Sequence, residues 1–144
     1  MGLAMRQLTI EDYDALISLW EAAAMGHKPA GRDRRERIEA EMQTSHTAYF
    51  GLFEEKNLVG VVIATFNNRR GWIDRLAVHP DYRGRNLAGQ LLDRAERFLN
   101  DKGALVISAL IEMENTNSIR AFEKHGFGQW GSIRYFSKRS SKDN

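Results

Sequence analysis

The stretch Arg83-Gly84-Arg85-Asn86-Leu87-Ala88-Gly89 decides how the rest of the chain is read. It stands between an apolar run that reads as a strand and an apolar periodicity that reads as a helix. The first turn of a helix leaves backbone N–H groups unpaired and carries partial positive charge, so such a junction accepts an anion. Gly84 lets a ligand approach the backbone, and Asn86 is a residue type that tolerates a left-handed conformation. Ala88 and Gly89 keep the first turn slim. Arg83 and Arg85 add charge and donor geometry suited to a pyrophosphate. Taken alone, the turn reads equally well as a surface loop with solvated arginines, because short glycine-containing motifs recur by chance.

Working upstream, Trp72–Val78 reads as a strand that Pro80 ends. Asn67-Asn68-Arg69-Arg70-Gly71 is a strong turn signal, and the near-continuous apolar run Leu58–Phe66 precedes it. A polar turn, Glu54–Asn57, links that run to a strand over Ala48–Phe53, so the three form an antiparallel meander. Working downstream, Leu87, Leu91, Leu92, Ala95, Phe98 and Leu99 recur at helical spacing, and Gly103 stops the helix. Leu105–Ile111 reads as a short strand buried on both faces, and strand, helix, strand at this spacing implies parallel pairing through a right-handed crossover. Asn117–His125 is a short helix ended by Gly126. Residues 128–138, with Trp130, Ile133, Tyr135 and Phe136, read as one more strand or a hairpin, and 137–144 as a frayed polar tail.

At the other end, Leu3–Leu8 is an edge strand. Thr9 is a candidate N-cap with Asp12 three residues on, and Ile10, Tyr13, Ile17, Trp20 and Ala24 define an amphipathic helix over 10–24. Gly26 to Gly31, around Pro29, breaks it. Arg32–Glu41 carries eight charges in ten residues, with only Ile38 as a large apolar side chain and Met42 one turn later. It reads as a solvated surface helix, or as a mobile lid beside a cleft. The order β-α-α-β-β-β-α-β-α-β predicts an α+β fold on a central twisted mixed sheet, in a single domain over residues 1–144.

Composition narrows the function. A chain of 144 residues that is 42% hydrophobic and 28% charged holds one domain with a sizeable core. The absence of cysteine excludes disulfides, cysteine-ligated zinc and a thiol nucleophile, and fits a reducing, cytoplasmic setting. A net charge of +2 is too weak for a dedicated nucleic-acid binder, and acidic neighbours dilute the arginines at 32–37. No apolar run approaches the ~18 residues that a membrane span needs. Met1 to Arg6 lacks the layout of a signal peptide. His27, His46 and His125 are isolated, and their spacing suggests no metal site.

Three segments together resemble the GNAT superfamily of N-acetyltransferases, whose pyrophosphate motif is Arg/Gln-x-x-Gly-x-Gly/Ala. They are Ile73-Asp74-Arg75-Leu76-Ala77-Val78-His79-Pro80, the turn from Arg83 to Ala88, and the run from Asn115 to Phe127 with its Glu123-Lys124-His125-Gly126-Phe127. The opening, Arg6 to Tyr13, is also similar, so the resemblance covers residues 6–136. It implies the acyl-CoA N-acyltransferase fold and acetyl-CoA as co-substrate, with no metal. It implies that Arg83, Gly84 and the amides of Arg85, Asn86, Leu87 and Ala88, with Gly89 beside them, hold the pyrophosphate. The main chain of Leu76, Ala77 and Val78 would pair with the pantetheine arm where the fourth and fifth strands splay apart. Asn115 would meet the arm from the far side, and Ser118, Phe122 and Lys124 on the next helix would lie against the cofactor. For Asn115 a helix cap is the plainer reading, and for Lys124 a solvated helix position.

Two residues depart from the family pattern. Asn86 replaces the usual glycine, and Phe122 stands where a tyrosine usually protonates the departing thiolate. The implied chemistry is direct attack of a primary amine on the thioester, with no covalent enzyme intermediate. A carboxylate, directly or through water, takes the amine proton, and a main-chain N–H near Val78 meets the charge on the thioester oxygen. Asp74 is the preferred base, because strand alternation predicts that it shares a face with Trp72, Leu76 and Val78. The competing reading pairs Asp74 with Arg75, Arg69 or Arg70. Glu112 and Glu114 follow as bases, His79 as a relay, and Tyr135 as a substitute acid. Residues 20–46 read the amine acceptor, without a charge preference. A catalytically weak or inactive acyl-CoA-sensing module is the alternative, motivated by Phe122 and Asn86. Apolar surface at Trp130 or Phe136 leaves a homodimer open.

Overall fold

Two runs of apolar residues joined by a tight turn make the centre of the sheet. In the computed structural model, which describes residues 2–144, these are β2 (Thr47–Glu54) and β3 (Asn57–Phe66). Met1, the first residue of the expected 1–144 domain, lies outside the described residues. Strand β1 (Leu3–Gln7) pairs antiparallel with β2, and β4 (Gly71–Val78) pairs antiparallel with β3. Strand β5 (Ile107–Ser108) joins β4 in parallel, giving the order β1-β2-β3-β4-β5.

Each face of the sheet buries its own helices. Phe50, Leu52, Val62, Ile73 and Leu76 on one face meet Leu87, Leu91, Leu92, Ala95 and Leu99 of helix α3 (Leu87–Lys102), with Phe122 of α4 (Thr116–Lys124) beside them. Tyr49, Phe53, Val61, Ile63 and Ala77 on the other face meet Leu16, Leu19 and Trp20 of α1 (Tyr13–Ala22) and Ile38 of α2 (Arg35–Met42). Gly60 lets α3 seat closely, since a Cβ there would come within 2.9 Å of the Leu91 side chain. Leu91 is fully buried at this contact. Leu91→Ala is expected to destabilise the protein by about 2–5 kcal/mol, read as a lower urea midpoint with an unchanged slope. Gly103 ends α3 at φ 104°, as a left-handed C-terminal residue does.

The structure departs from the sequence reading in five places. The helix expected over 10–24 starts as a 3-10 turn at Ile10–Asp12, where the Asp12 carboxylate accepts the Thr9 N–H at 2.8 Å, and ends at Ala22. Helix α2 begins only at Arg35, because the Asp33 side chain accepts the Lys28 N–H at 2.6 Å and holds 28–33 as a turn. Strand β5 is two residues long, not Leu105–Ile111 buried on both faces: Leu105 is 95% exposed and Leu110 56%. Residues 128–138 form no strand, and Trp130, Ile133, Tyr135 and Phe136 are all exposed. Apolar alternation makes a strand only beside a partner edge, and a two-residue β5 offers too little ladder.

The fifth departure bears on the site. Pairing along β3 and β4 steps from Val61↔Ala77 to Ile63↔Asp74, so Arg75 and Leu76 together face Val62. Arg75 makes this bulge by adopting φ 54°, an uncommon conformation for a non-glycine residue. The extra residue breaks the alternation. Ile73, Leu76 and Val78 turn toward α3, whereas Asp74 stands opposite Ile63 on the α1 side. Asp74 therefore does not share a face with Leu76 and Val78.

Candidate active site

The turn between β4 and α3 is shaped by two left-handed residues, Gly84 at φ 82° and Asn86 at φ 58°. Asn86 enters α3 in that conformation, and its Oδ1 lies over Gly89, 2.5 Å from where a Cβ would stand. Buried Leu87 anchors the helix start in the core. The first bond across this turn is Gln90 N–H to the Asn86 carbonyl at 3.3 Å, so the N–H groups of Leu87, Ala88 and Gly89 are the free donors of α3. Arg83 and Arg85 form no ion pair among the described residues. The Arg85 guanidinium lies over the Tyr82 ring, 4.9 Å from its centroid. The Tyr82 hydroxyl donates to Glu54, which raises its pKa and pins the turn to β2. Helix N-terminus and unpaired guanidinium groups together favour an anion.

Beside this cradle the sheet opens. Strands β4 and β5 pair only at Gly71↔Ile107 and Trp72↔Ser108. Further along β4, the Leu76 carbonyl accepts the Ser118 hydroxyl at 3.5 Å. Asn115 caps α4, its Oδ1 accepting the Ser118 N–H at 3.2 Å. A cleft of about 900 Å³ runs between β4, the α3 turn and α4. Leu76, Ala77, Val78, every residue from Arg83 to Gly89, Asn115, Ser118 and Lys124 line it. Phe122 does not: it is 4% exposed in the core, with its ring edge-on to Phe127 at 5.0 Å.

Sequence reasoning missed several cleft residues. Asn117 and Arg120 come from the α4 surface, whereas Ala23 and Met25, also in the lining, belong to the stretch 20–46 expected to read the acceptor. His125 also lines the cleft, and its Nε2 lies 2.8 Å from Asp93 Oδ1 and 3.8 Å from Glu96 Oε2. It clamps the end of α4 to α3. These three side chains present ligand-type atoms within 4.8 Å of one another, a proximity that a gap of about 30 residues concealed. Burial raises the Glu96 pKa, against a lowering by His125.

The catalytic candidates lie outside the cleft lining. Asp74 is half-buried and makes no ion pair or side-chain hydrogen bond among the described residues. Burial pushes its pKa up, against smaller opposing pulls from Arg75 and Arg32. The expected pairing partners are engaged elsewhere or apart: Arg75 bonds Asp33 at 2.8 Å, and Arg70 reaches Ser108 Oγ at 3.4 Å and covers Trp72. Glu112 is exposed, its carbonyl accepting the Asn115 N–H. Tyr135 is 65% exposed on the strandless C-terminal segment.

Known proteins share this architecture. The sequence profile of the "Acetyltransferase (GNAT) family" matches residues 9–127. An acetyltransferase of Sodalis glossinidius is 27% identical over 141 residues, covering 98% of each chain. One from Pectobacterium atrosepticum is 31% identical over 116 residues, covering 79% of each. Among solved structures, the PaiA N-acetyltransferase of Thermoplasma acidophilum in complex with coenzyme A superposes with a TM-score of 0.77 at 22% identity, covering 92% of this chain and 95% of that one. With a GNAT fold, a cradle at the expected turn and a profile match over most of its length, the chain belongs to the acetyltransferase (GNAT) family.

Proposed function

We propose that the protein is an N-acetyltransferase that moves an acetyl group from acetyl-CoA directly to a primary amine. The observation that carries this reading is the α3 entrance, where free N–H groups of Leu87–Gly89 and the unpaired Arg83 and Arg85 open into a cleft. The coenzyme A complex of the related Thermoplasma protein supports the ligand. Arg83 and the α3 amides bind the pyrophosphate, and the edge of β4 at Leu76–Val78, which β5 does not pair with, binds the pantetheine amides. The thioester supplies an activated acetyl carbonyl. The amine nitrogen bonds to that carbon, the carbon–sulfur bond breaks, and the thiolate leaves with the electron pair. The amine's proton passes to Asp74 through water, since Asp74 stands outside the cleft wall. Phe122 has no proton to give, so the thiolate departs without an acid from that position.

Thermal unfolding tests the binding. Coenzyme A at a hundredfold its dissociation constant is expected to stabilise the protein by about 2.7 kcal/mol, and Arg83→Glu to remove most of that gain. No shift with millimolar coenzyme A would overturn the reading. A second reading, acyl-CoA binding without transfer, is favoured by one observation: none of Asp74, Glu112 and Tyr135 lines the cleft. Coenzyme A binding without thiol release across an amine panel would select it.

A further inference from the structure

The junction of α3 and α4 carries a cluster that the transfer chemistry does not use. Asp93 and Glu96, three residues apart, share one face of α3, and His125 reaches that face from the C-terminal end of α4. The His125 N–H donates to the carbonyls of Ala121 and Phe122 at 3.1 and 3.0 Å, and Phe122 is buried in the core, so the imidazole has a fixed base. Its Nε2 stands 2.8 Å from Asp93 Oδ1 and 3.8 Å from Glu96 Oε2, and the three ligand-type atoms lie within 4.8 Å of one another. Ligand atoms about 2.0–2.2 Å from a shared tetrahedral ion stand roughly 3.3–3.6 Å from each other. The two measured distances fall on either side of that span, and the Asp93 side chain, 69% exposed, has room to shift.

The charge in the cluster also favours a cation. Neither carboxylate has a lysine or arginine partner among the described residues, although the chain holds 21 such side chains. Arg94, beside Asp93 in sequence, instead covers the Phe50 ring at 4.3 Å. A protonated imidazole offers a single N–H on this side. It serves Asp93 at 2.8 Å, while Glu96 at 3.8 Å lies beyond a hydrogen bond. A divalent ion would serve all three ligands at once and match the two negative charges. Imidazole with carboxylates, and no thiolate, suits the borderline divalent transition metals, and three protein ligands leave a further position for water.

We propose that Asp93, Glu96 and His125 form a site for a divalent transition ion of the zinc class, which ties the end of α4 to α3. Both helices contribute walls of the cleft, so the ion braces the cleft from outside. The site needs no acyl transfer, and its test is independent of the acetyltransferase reading. The full chain is stripped with EDTA, dialysed and kept free of coenzyme A, whose phosphates and thiol compete for metal. Zinc chloride is then titrated in by calorimetry, and thermal unfolding and hydrogen exchange are followed with and without it. One zinc ion per chain is expected, with a melting temperature that rises with zinc concentration. Asp93→Asn, Glu96→Gln and His125→Gln are each expected to weaken zinc binding by about a hundredfold or more, the upper end of what losing even an outer-shell partner costs. Amides of 119–126 are expected to exchange about tenfold more slowly with zinc, with those of β2 unchanged. Zinc binding that survives in all three variants marks an adventitious ion only, held by His27, His46 or His79, and overturns the proposal. The absence of binding at millimolar zinc, or binding that leaves exchange in α4 unchanged, overturns it as well.

Discussion

Asp74→Asn is expected to lower kcat/KM for the amine by ~10²–10⁴-fold, the span typical of losing a general base, while leaving coenzyme A affinity unchanged. The separation follows from the bulge at Arg75, which turns Asp74 to the α1 side, away from the face of Leu76 and Val78. Burial raises the Asp74 pKa and outweighs the opposing pulls of Arg75 and Arg32. The base works when deprotonated, so activity rises with pH through that raised pKa. The stability effect has the opposite sense. Between the unfolded and the folded pKa the folded protein binds more protons, so this carboxyl's contribution to stability falls as pH rises through that window. At neutral pH, Asp74→Asn is therefore expected to raise the melting temperature while it lowers turnover. A kinetic defect with a lower melting temperature would mark Asp74 as structural. An unchanged kcat/KM would shift the role to Glu112 or Glu114.

Ala88→Asp is expected to weaken coenzyme A binding by about a hundredfold or more without weakening the fold. Ala88 lines the cleft in the first turn of α3, among the free N–H groups. An acidic residue there complements the helix dipole and stabilises the free protein by about 0.3–1 kcal/mol. The same carboxylate meets the ligand's pyrophosphate, and a like-charge contact of that kind costs several kcal/mol. Titration calorimetry and denaturant unfolding should thus move in opposite directions. Unchanged affinity would contradict the placement of the pyrophosphate at this turn.

How far the sequence reaches can be judged from these same residues. The cradle was legible because glycine and asparagine at 84 and 86 foretell left-handed backbone, and both are left-handed. Helix α3 was legible from its apolar period, and the meander from its two polar turns. The direction of Asp74 was not, because nothing in its neighbours marks Arg75 as the residue that leaves the extended conformation. Residues 105–111 and 128–138 misled for a related reason. Alternation records the faces a strand would have, but not whether a partner edge exists. The Asp33–Arg75 pair and the contact of His125 with Asp93 join residues 42 and 32 positions apart, distances at which local pattern is silent.

The most direct measurement is thiol release from acetyl-CoA in the presence of a panel of primary amines, with the products weighed by mass spectrometry. The expected result is one coenzyme A released per amine that gains an acetyl group, with no acetylated protein at any stage, and loss of that turnover in both Asp74→Asn and Ala88→Asp. Tight acetyl-CoA binding with no thiol release above hydrolysis, for every amine tried, would contradict it.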